Sequence, residues 1–231
     1  MKNNQHGCDL NSCMICRLCL KDWLPAIEAN KQNFYIKKGQ QIFREGDPVK
    51  GMYFIYSGTV KVHKKWDKEK ELIIRFAKKG DILGHMGLGD EAIYPVTTTA
   101  LEPTIVCYVK MDFFESTLKV NNELTYRLMR FFAGGLQDSE KRMRNLVHMP
   151  VKGRIAQSLI ALKTQFGIND EGAINIELTR QDLSSFAGAS YETLFKVINE
   201  LVDEKIAEVS GKSIRILDEP ALKLLTRVAD M

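Results

Sequence analysis

Four cysteines, Cys8, Cys13, Cys16 and Cys19, fall within the first twenty residues in the spacing C-x4-C-x2-C-x2-C. Thiolates set two residues apart let a short chain wrap a soft metal ion or an iron–sulfur cluster. The plainer alternative is a tail of uncomplexed thiols. The fifth cysteine, Cys107, stands in the apolar run Thr104-Ile105-Val106-Cys107-Tyr108-Val109, where a lone cysteine is usually a small buried hydrophobe. Two donor sets follow. The four N-terminal thiols alone can make an all-thiolate zinc site, or three of them with Cys107 can hold a four-iron cluster.

A second chemical signal lies near the other end. Thr179-Arg180-Gln181-Asp182-Leu183 starts a short helix with a capping residue and an acid at the third helical position, a variant of the capping box. Gly188 breaks it, and Ser190 caps a second helix from Tyr191 to about Glu204. There Leu194, Val197, Ile198 and Leu201 recur at i, i+3, i+4 and i+7 and form the buried face. Glu192, Phe195, Lys196 and Asn199 are left for solvent. Two helices joined by a glycine turn, with polar side chains near the start of the second, suit reading of the DNA major groove. Glu192 can accept from cytosine N4, and Lys196 can donate to guanine O6 and N7. Phe195 can meet a thymine methyl. The bland alternative is a solvated Glu192–Lys196 pair worth about 0.3–0.5 kcal/mol. Ala207–Val209 and Ser213–Ile216 flank Ser210-Gly211-Lys212, a hairpin whose Lys212 and Arg215 would lie by phosphates. Arg180, Ser190 and Tyr191 complete the DNA-binding candidates.

These residues need elements to position them. The 231 residues, 45% hydrophobic with 6 prolines, make a packed protein of one large or two ordinary domains. Residues 1–20 form a cysteine-rich segment. Residues 21–110 carry short β-rich runs parted by glycine turns, the mark of a barrel or sandwich. Residues 111–147, without proline, read as a dimerisation helix, with Leu124, Leu128, Phe131, Phe132, Leu136, Met143 and Leu146 at helical spacing and Gly134-Gly135 as a local weak point; the alternative is two shorter helices that cover the barrel. Pro150 marks a hinge, and residues 150–231 form the winged helix-turn-helix. The fold class is thus α+β.

The net charge of +4 permits nucleic-acid binding without demonstrating it. Lys141, Arg142, Arg144, Lys152 and Arg154 cluster ahead of the C-terminal domain and suggest a basic DNA-facing surface. No apolar run reaches the roughly 18–20 residues of a membrane span, and the polar start has no signal-peptide character. We therefore expect a cytoplasmic protein with no membrane partner and with cysteines that are not structural disulfides. No paired nucleophile and base, phosphate-cradling loop or HExxH pattern points to an enzyme.

Taken together, these residues resemble the CRP/FNR family of bacterial regulators across almost the whole chain. The turns Lys38-Gly39, Glu45-Gly46-Asp47, Ser57-Gly58 and Lys79-Gly80-Asp81 match the family pattern, and Ser190-Tyr191-Glu192-Thr193-Leu194-Phe195-Lys196 resembles its recognition helix. The resemblance implies a jelly-roll β-barrel like a cyclic-nucleotide-binding domain, a long dimer helix and a winged helix. It also implies a homodimer on a palindromic double-stranded DNA operator, with RNA polymerase as a partner. The cysteines look most like the oxygen-sensing FNR branch. That likeness implies a 4Fe–4S cluster on Cys13, Cys16, Cys19 and Cys107, with Cys8 as a substitute ligand because the last N-terminal gap is short. Lys196 stands where the family has arginine, which has a planar fork that lysine lacks. The cyclic-AMP pocket of the family is matched by Gly84-His85-Met86-Gly87 and Pro95-Val96-Thr97-Thr98, without its glutamate and arginine. A buried cyclic phosphate would then find no cation, so cyclic AMP is not expected. His85 reads as a surface or pocket-lining histidine. The alternatives are the same DNA-binding regulator with a zinc or thiol-redox site, or a sensor module with another small-molecule effector.

Overall fold

The computed structural model describes residues 13–67 and 70–226, together with the backbone of Lys2–Asn3. The chain forms two compact units, Met1–Gly135 and Leu136–Met231.

The first unit begins with strand β1 (Lys2–Asn3), helix α1 (Met14–Leu18), a 3-10 turn (Lys21–Trp23) and helix α2 (Leu24–Asn30). Then follow β2 (Lys31–Ile36), β3 (Gln41–Phe43), β4 (Gly51–Ser57), β5 (Val60–Lys65), β6 (Glu71–Ala77) and β7 (Ile82–Leu83). After a 3-10 turn (His85–Leu88) come β8 (Thr97–Ala100) and β9 (Thr104–Lys110). The strands form two antiparallel sheets, β1-β2-β9-β4-β7 and β3-β8-β5-β6. Period-2 alternation makes the first sheet a wall between two cores. Val106 of β9, Tyr53 and Ile55 of β4 and Ile36 of β2 face the barrel interior. Cys107, Val109, Met52 and Phe54 face the other way, onto α1, α2 and the helices that follow. Each fully buried large side chain on either face, Phe54 or Ile55 for instance, contributes about 1.5–3 kcal/mol. The second sheet holds a polar cluster. Glu71 accepts from Lys61 and lies 2.9 Å from His63 Nδ1, while His63 Nε2 meets Thr99 Oγ1 at 2.9 Å.

The stretch 111–147, expected as one helix, is two: α3 (Met111–Val120) and α4 (Asn122–His148). Asn121 parts them in a non-helical conformation. Its side chain is consumed locally. Nδ2 donates to Thr117 O at 2.9 Å, and Oδ1 accepts the Leu20 N–H at 2.7 Å. Gly134 and Gly135 do not interrupt α4, and a Cβ at either would meet nothing within 4 Å. The unit boundary falls inside α4, not at Pro150, because the last turns of α4 pack within the second unit, where Arg142 Nη2 donates to Phe186 O at 2.7 Å.

The second unit continues with α5 (Val151–Phe166), α6 (Arg180–Ala187), α7 (Tyr191–Asp203), β10 (Ala207–Ser210), β11 (Ser213–Ile216) and α8 (Glu219–Leu224). Among the described residues no helix is long and apolar enough to cross a membrane.

Candidate nucleic-acid interface and cysteine site

In the second unit, the N-cap Thr179 takes the Asp182 N–H at 3.0 Å, the capping half of the expected box, and its hydroxyl donates to Asp182 Oδ2 at 2.6 Å where the full box would use the Thr179 backbone N–H. Gly188 ends α6 at φ 64, a left-handed turn that favours glycine. Ser190 caps α7 by accepting the Thr193 N–H at 3.1 Å. The buried side chains of α7 are Leu194, Val197, Ile198 and Leu201. This fixes the helix's rotation and leaves Tyr191, Glu192, Phe195 and Lys196 exposed. Among the described residues no ion pair joins Glu192 to Lys196. The Glu192 carboxylate turns back instead to its own backbone N–H and to the Ser190 hydroxyl, which hold its pKa below the usual carboxylate range. Both charged groups therefore stand available at the start of the helix.

β10 and β11 pair in register from Ala207↔Ile216 to Ser210↔Ser213, with Gly211-Lys212 at the tip. Lys212 is exposed there. Arg215 is engaged, paired with Glu208 at 3.0 Å and donating to Glu171 O. Arg180 Nη2 donates to Gly211 O at 2.9 Å, so this guanidinium holds the wing against α6.

Part of the basic cluster expected to make a DNA-facing surface is used within the second unit itself, while Lys141 and Arg144 stay exposed. Arg154 donates to the carbonyls of Met149 at 3.0 Å, Gly188 at 2.9 Å, Ala187 at 3.3 Å and Leu146 at 3.4 Å. Arg142 lies over the Phe186 ring, Lys152 pairs with Glu200 and Glu204, and Arg144 meets Asn145. Helix ends and a tight turn leave carbonyls without partners, and guanidinium groups satisfy them. A count of charges along the chain cannot separate this use from phosphate binding.

In the first unit, Cys13, Cys16 and Cys19 sit at the N-cap, within and at the C-cap of α1. All three are buried, as is Cys107. They share one core with Cys107, Phe54 and Ile15. The short helix α1 and its two extended caps bring the three cysteines into this core, and Cys107 shares it because it faces outward from the barrel. Burial first, and then the neighbouring Cys13, push the Cys19 thiol up to about 12. Among the described residues no three His, Cys, Asp or Glu side chains converge as they would around one metal ion. Cys8 lies outside the described residues.

Three anchors of this segment gave no signal in the sequence. The Leu20 N–H meets Asn121, Trp23 Nε1 donates to Thr117 Oγ1 at 3.2 Å, and the Trp23 ring stacks on Phe113. Each is a long-range contact between residues ordinary in themselves.

Within the barrel, Phe43 stacks on Tyr94 with centroids 4.0 Å apart, and Tyr53 packs on both Phe43 and Tyr108. Gly84, His85, Met86, Pro95, Val96 and Thr98 line a small, partly enclosed pocket. The expectation that no cation reaches this region needs correction, because Arg75 of β6 lines it too. Its guanidinium is already committed, donating to Ile82 O at 2.7 Å and lying over Phe131. His85 lines the pocket as expected, and burial, then the Arg75 charge, push its pKa down to about 3.

With this geometry in place, comparisons with known proteins add a lineage. Residues 34–121 match the family model for a cyclic nucleotide-binding domain, and residues 153–225 match that for a Crp-like helix-turn-helix domain. The chain is 28% identical over 218 residues to the transcriptional activator protein FnrA of Stutzerimonas stutzeri, covering 93% of this chain and 89% of that one. It is 30% identical over 178 residues to the cAMP-activated global transcriptional regulator CRP of Salmonella typhimurium, covering 75% and 83%. Its fold matches that of FixK2 from Bradyrhizobium japonicum with a TM-score of 0.76 at 22% identity, covering 86% and 98%.

Proposed function

The chain belongs to the CRP/FNR family of transcription regulators, and from that membership we propose a homodimer whose sequence-specific DNA binding is gated by oxygen or redox state through a cysteine-ligated 4Fe–4S cluster. The observation that carries the sensing half is the outward face of β9, which puts Cys107 in the same buried core as Cys13, Cys16 and Cys19. These four are the proposed ligands, with Cys8 as a substitute. In donor chemistry the set fits the group, all sulfur in an apolar shell; the thiols would have to close up on binding, since no three such side chains converge among the described residues. When bound, the cluster supplies a redox-active centre that oxygen degrades.

The chain's own residues do the rest. Each ligating thiol must give up its proton, and Cys19, pushed up to about 12 by burial first and then by Cys13, resists this. Ligation therefore exchanges protons for a link between α1 and β9. Leu20 follows directly on Cys19 and is bonded to Asn121, the residue before α4. Order in the cysteine segment is thereby tied to the start of the long helix. α4 carries an exposed apolar stripe, Met129, Phe132, Leu136, Met143 and Val147, at i, i+3, i+7, i+14 and i+18. That spacing suits a helix packed on its own copy. The dimer would place two α7 helices about 34 Å apart, one turn of a palindromic site. Glu192, Phe195 and Lys196 would read bases, Tyr191, Ser190 and Lys212 would contact the backbone, and Arg180 and Arg215 would hold the wing.

The test is anaerobic reconstitution of the full chain, with iron, sulfide, visible spectrum and affinity for palindromic DNA measured before and after air. Iron and sulfide together with DNA binding that falls in air support the proposal. A colourless protein without iron or sulfide overturns the cluster, and bound zinc indifferent to air would favour the all-thiolate zinc alternative.

A further inference from the structure

β2 pairs with β9 so that Asn33 stands directly opposite Cys107. Phe54 of β4 flanks Cys107 on its other side. Residues opposed across an antiparallel pair point to the same face, their Cβ atoms about 5 Å apart. The alternation of β2 agrees, since Phe34 and Ile36 pack on the barrel interior and Asn33 falls on the other face. The position borders an apolar core, where the wall's other members are Met52, Phe54 and Val109. An amide is out of place there, and it is not satisfied: Oδ1 of Asn33 is buried without a hydrogen-bond partner among the described residues.

Buried polar atoms left unpaired are uncommon and ask for a reason. An amide has a donor and an acceptor at one end, which a half-turn of the side chain exchanges. Beside protonated thiols, neither end is strongly required. Beside thiolate or cluster sulfur, an N–H donor stabilises the buried negative charge. Hydrogen bonds to sulfur are among the features that set cluster potential and solvent access.

We propose that the Asn33 side-chain amide is the hydrogen-bond donor to the sulfur of Cys107 when that thiolate is ligated, which makes Asn33 a positioning residue of the cysteine site. The inference rests on the proposed function above. It adds a residue with no metal-ligating chemistry of its own, and it accounts for an orphaned atom that the cluster-free fold does not use.

The test compares wild type with Asn33→Leu and Asn33→Asp as full-length chains, reconstituted anaerobically. Leu removes the amide, and Asp keeps its shape but offers no donor once ionised. Both variants are expected to take up iron and sulfide, to show a more negative reduction potential than wild type, and to lose their visible absorbance in air about ten-fold faster, the scale of lost support around metal ligands. In the cluster-free state, Asn33→Leu is expected to unfold at or above the wild-type temperature, because it removes an unpaired buried acceptor. A merely structural amide would give the reverse. Unchanged potential and unchanged lifetime in air in loaded Asn33→Leu and Asn33→Asp overturn this inference alone, and so does a cluster-free Asn33→Leu chain that unfolds well below wild type. Wild type that takes up neither iron nor sulfide overturns the proposed function, and this inference with it.

Discussion

The winged helix and the cysteine site hold their working groups in opposite ways. In the winged helix, packing is complete without a ligand, and Glu192, Phe195, Lys196 and Lys212 are held out to solvent by a capped turn and a buried stripe. At the cysteine site the working groups are themselves the core. Cys13, Cys16, Cys19 and Cys107 are buried, and Cys19 holds its proton up to about 12. The first arrangement is ready at all times. Under the proposed function the second would be conditional, since buried thiols become ligands only when something takes the place of their protons. Such a regulator would combine a reading surface that does not change with a site that does.

The largest expected effect tests the conditional half. Cys107→Ser should reduce iron and sulfide after anaerobic reconstitution to background. Metal content equal to wild type would leave ligation to the N-terminal thiols alone. For the constitutive half, Arg154→Ala should destabilise the second unit by about 2–4 kcal/mol, since its charged hydrogen bonds cap four carbonyls. Denaturant unfolding measures this, and a loss below about 0.5 kcal/mol would return Arg154 to the DNA-facing role first expected of it.

Smaller effects sharpen the contrast. Glu192→Ala and Lys196→Ala should each weaken binding to a cognate site by about 1–3 kcal/mol and relax its base preference, with no change in unfolding temperature. Equal binding to every sequence would remove these two residues from base reading. Glu71 tests the barrel wall. Its pKa is lowered from 4.5 to about 2, first by His63 and then, after the opposing effect of burial, by Lys61. The folded carboxyl thus binds its proton less tightly than the unfolded one. Its stabilising contribution is present above pH 4.5 and is lost as pH falls toward 2. Glu71→Gln should flatten the decline of unfolding temperature across that window. The smallest effect concerns α4. Gly134→Ala meets open space in the single chain and should stabilise the helix by about 1 kcal/mol. If it also weakens self-association in sedimentation, a partner helix approaches closely there.

The winged helix was legible because its signals are local. A capping residue, a glycine turn and an i, i+3, i+4, i+7 stripe are dictated by backbone geometry within about twenty residues, and Thr179, Gly188, Ser190 and the Leu194–Leu201 face stand where that geometry requires. The roles of Arg142, Arg154, Arg180 and Arg215 were not legible. A guanidinium reads alike whether it binds a phosphate or a carbonyl, and Phe186 O, Gly188 O and Gly211 O, which Arg142, Arg154 and Arg180 respectively satisfy, lie about thirty or more residues away. Arg75 escaped notice near the barrel pocket for the same reason, since it arrives on β6, away from the segments compared with the cyclic-nucleotide site.

The cysteines divide along this line. Sequence alone determined that Cys13, Cys16 and Cys19 lie close together in one short segment and that Cys107 lies on a strand, because spacing and local periodicity decide such things; that a short helix, α1, sets the three was decided by the structure. Only the tertiary structure decided that Cys107 faces outward, beside Asn33 and toward the other three. A strand shows its alternation in sequence but not which of its faces lines the barrel. That choice is made when the sheet closes and the apolar side chains of its two faces find separate cores.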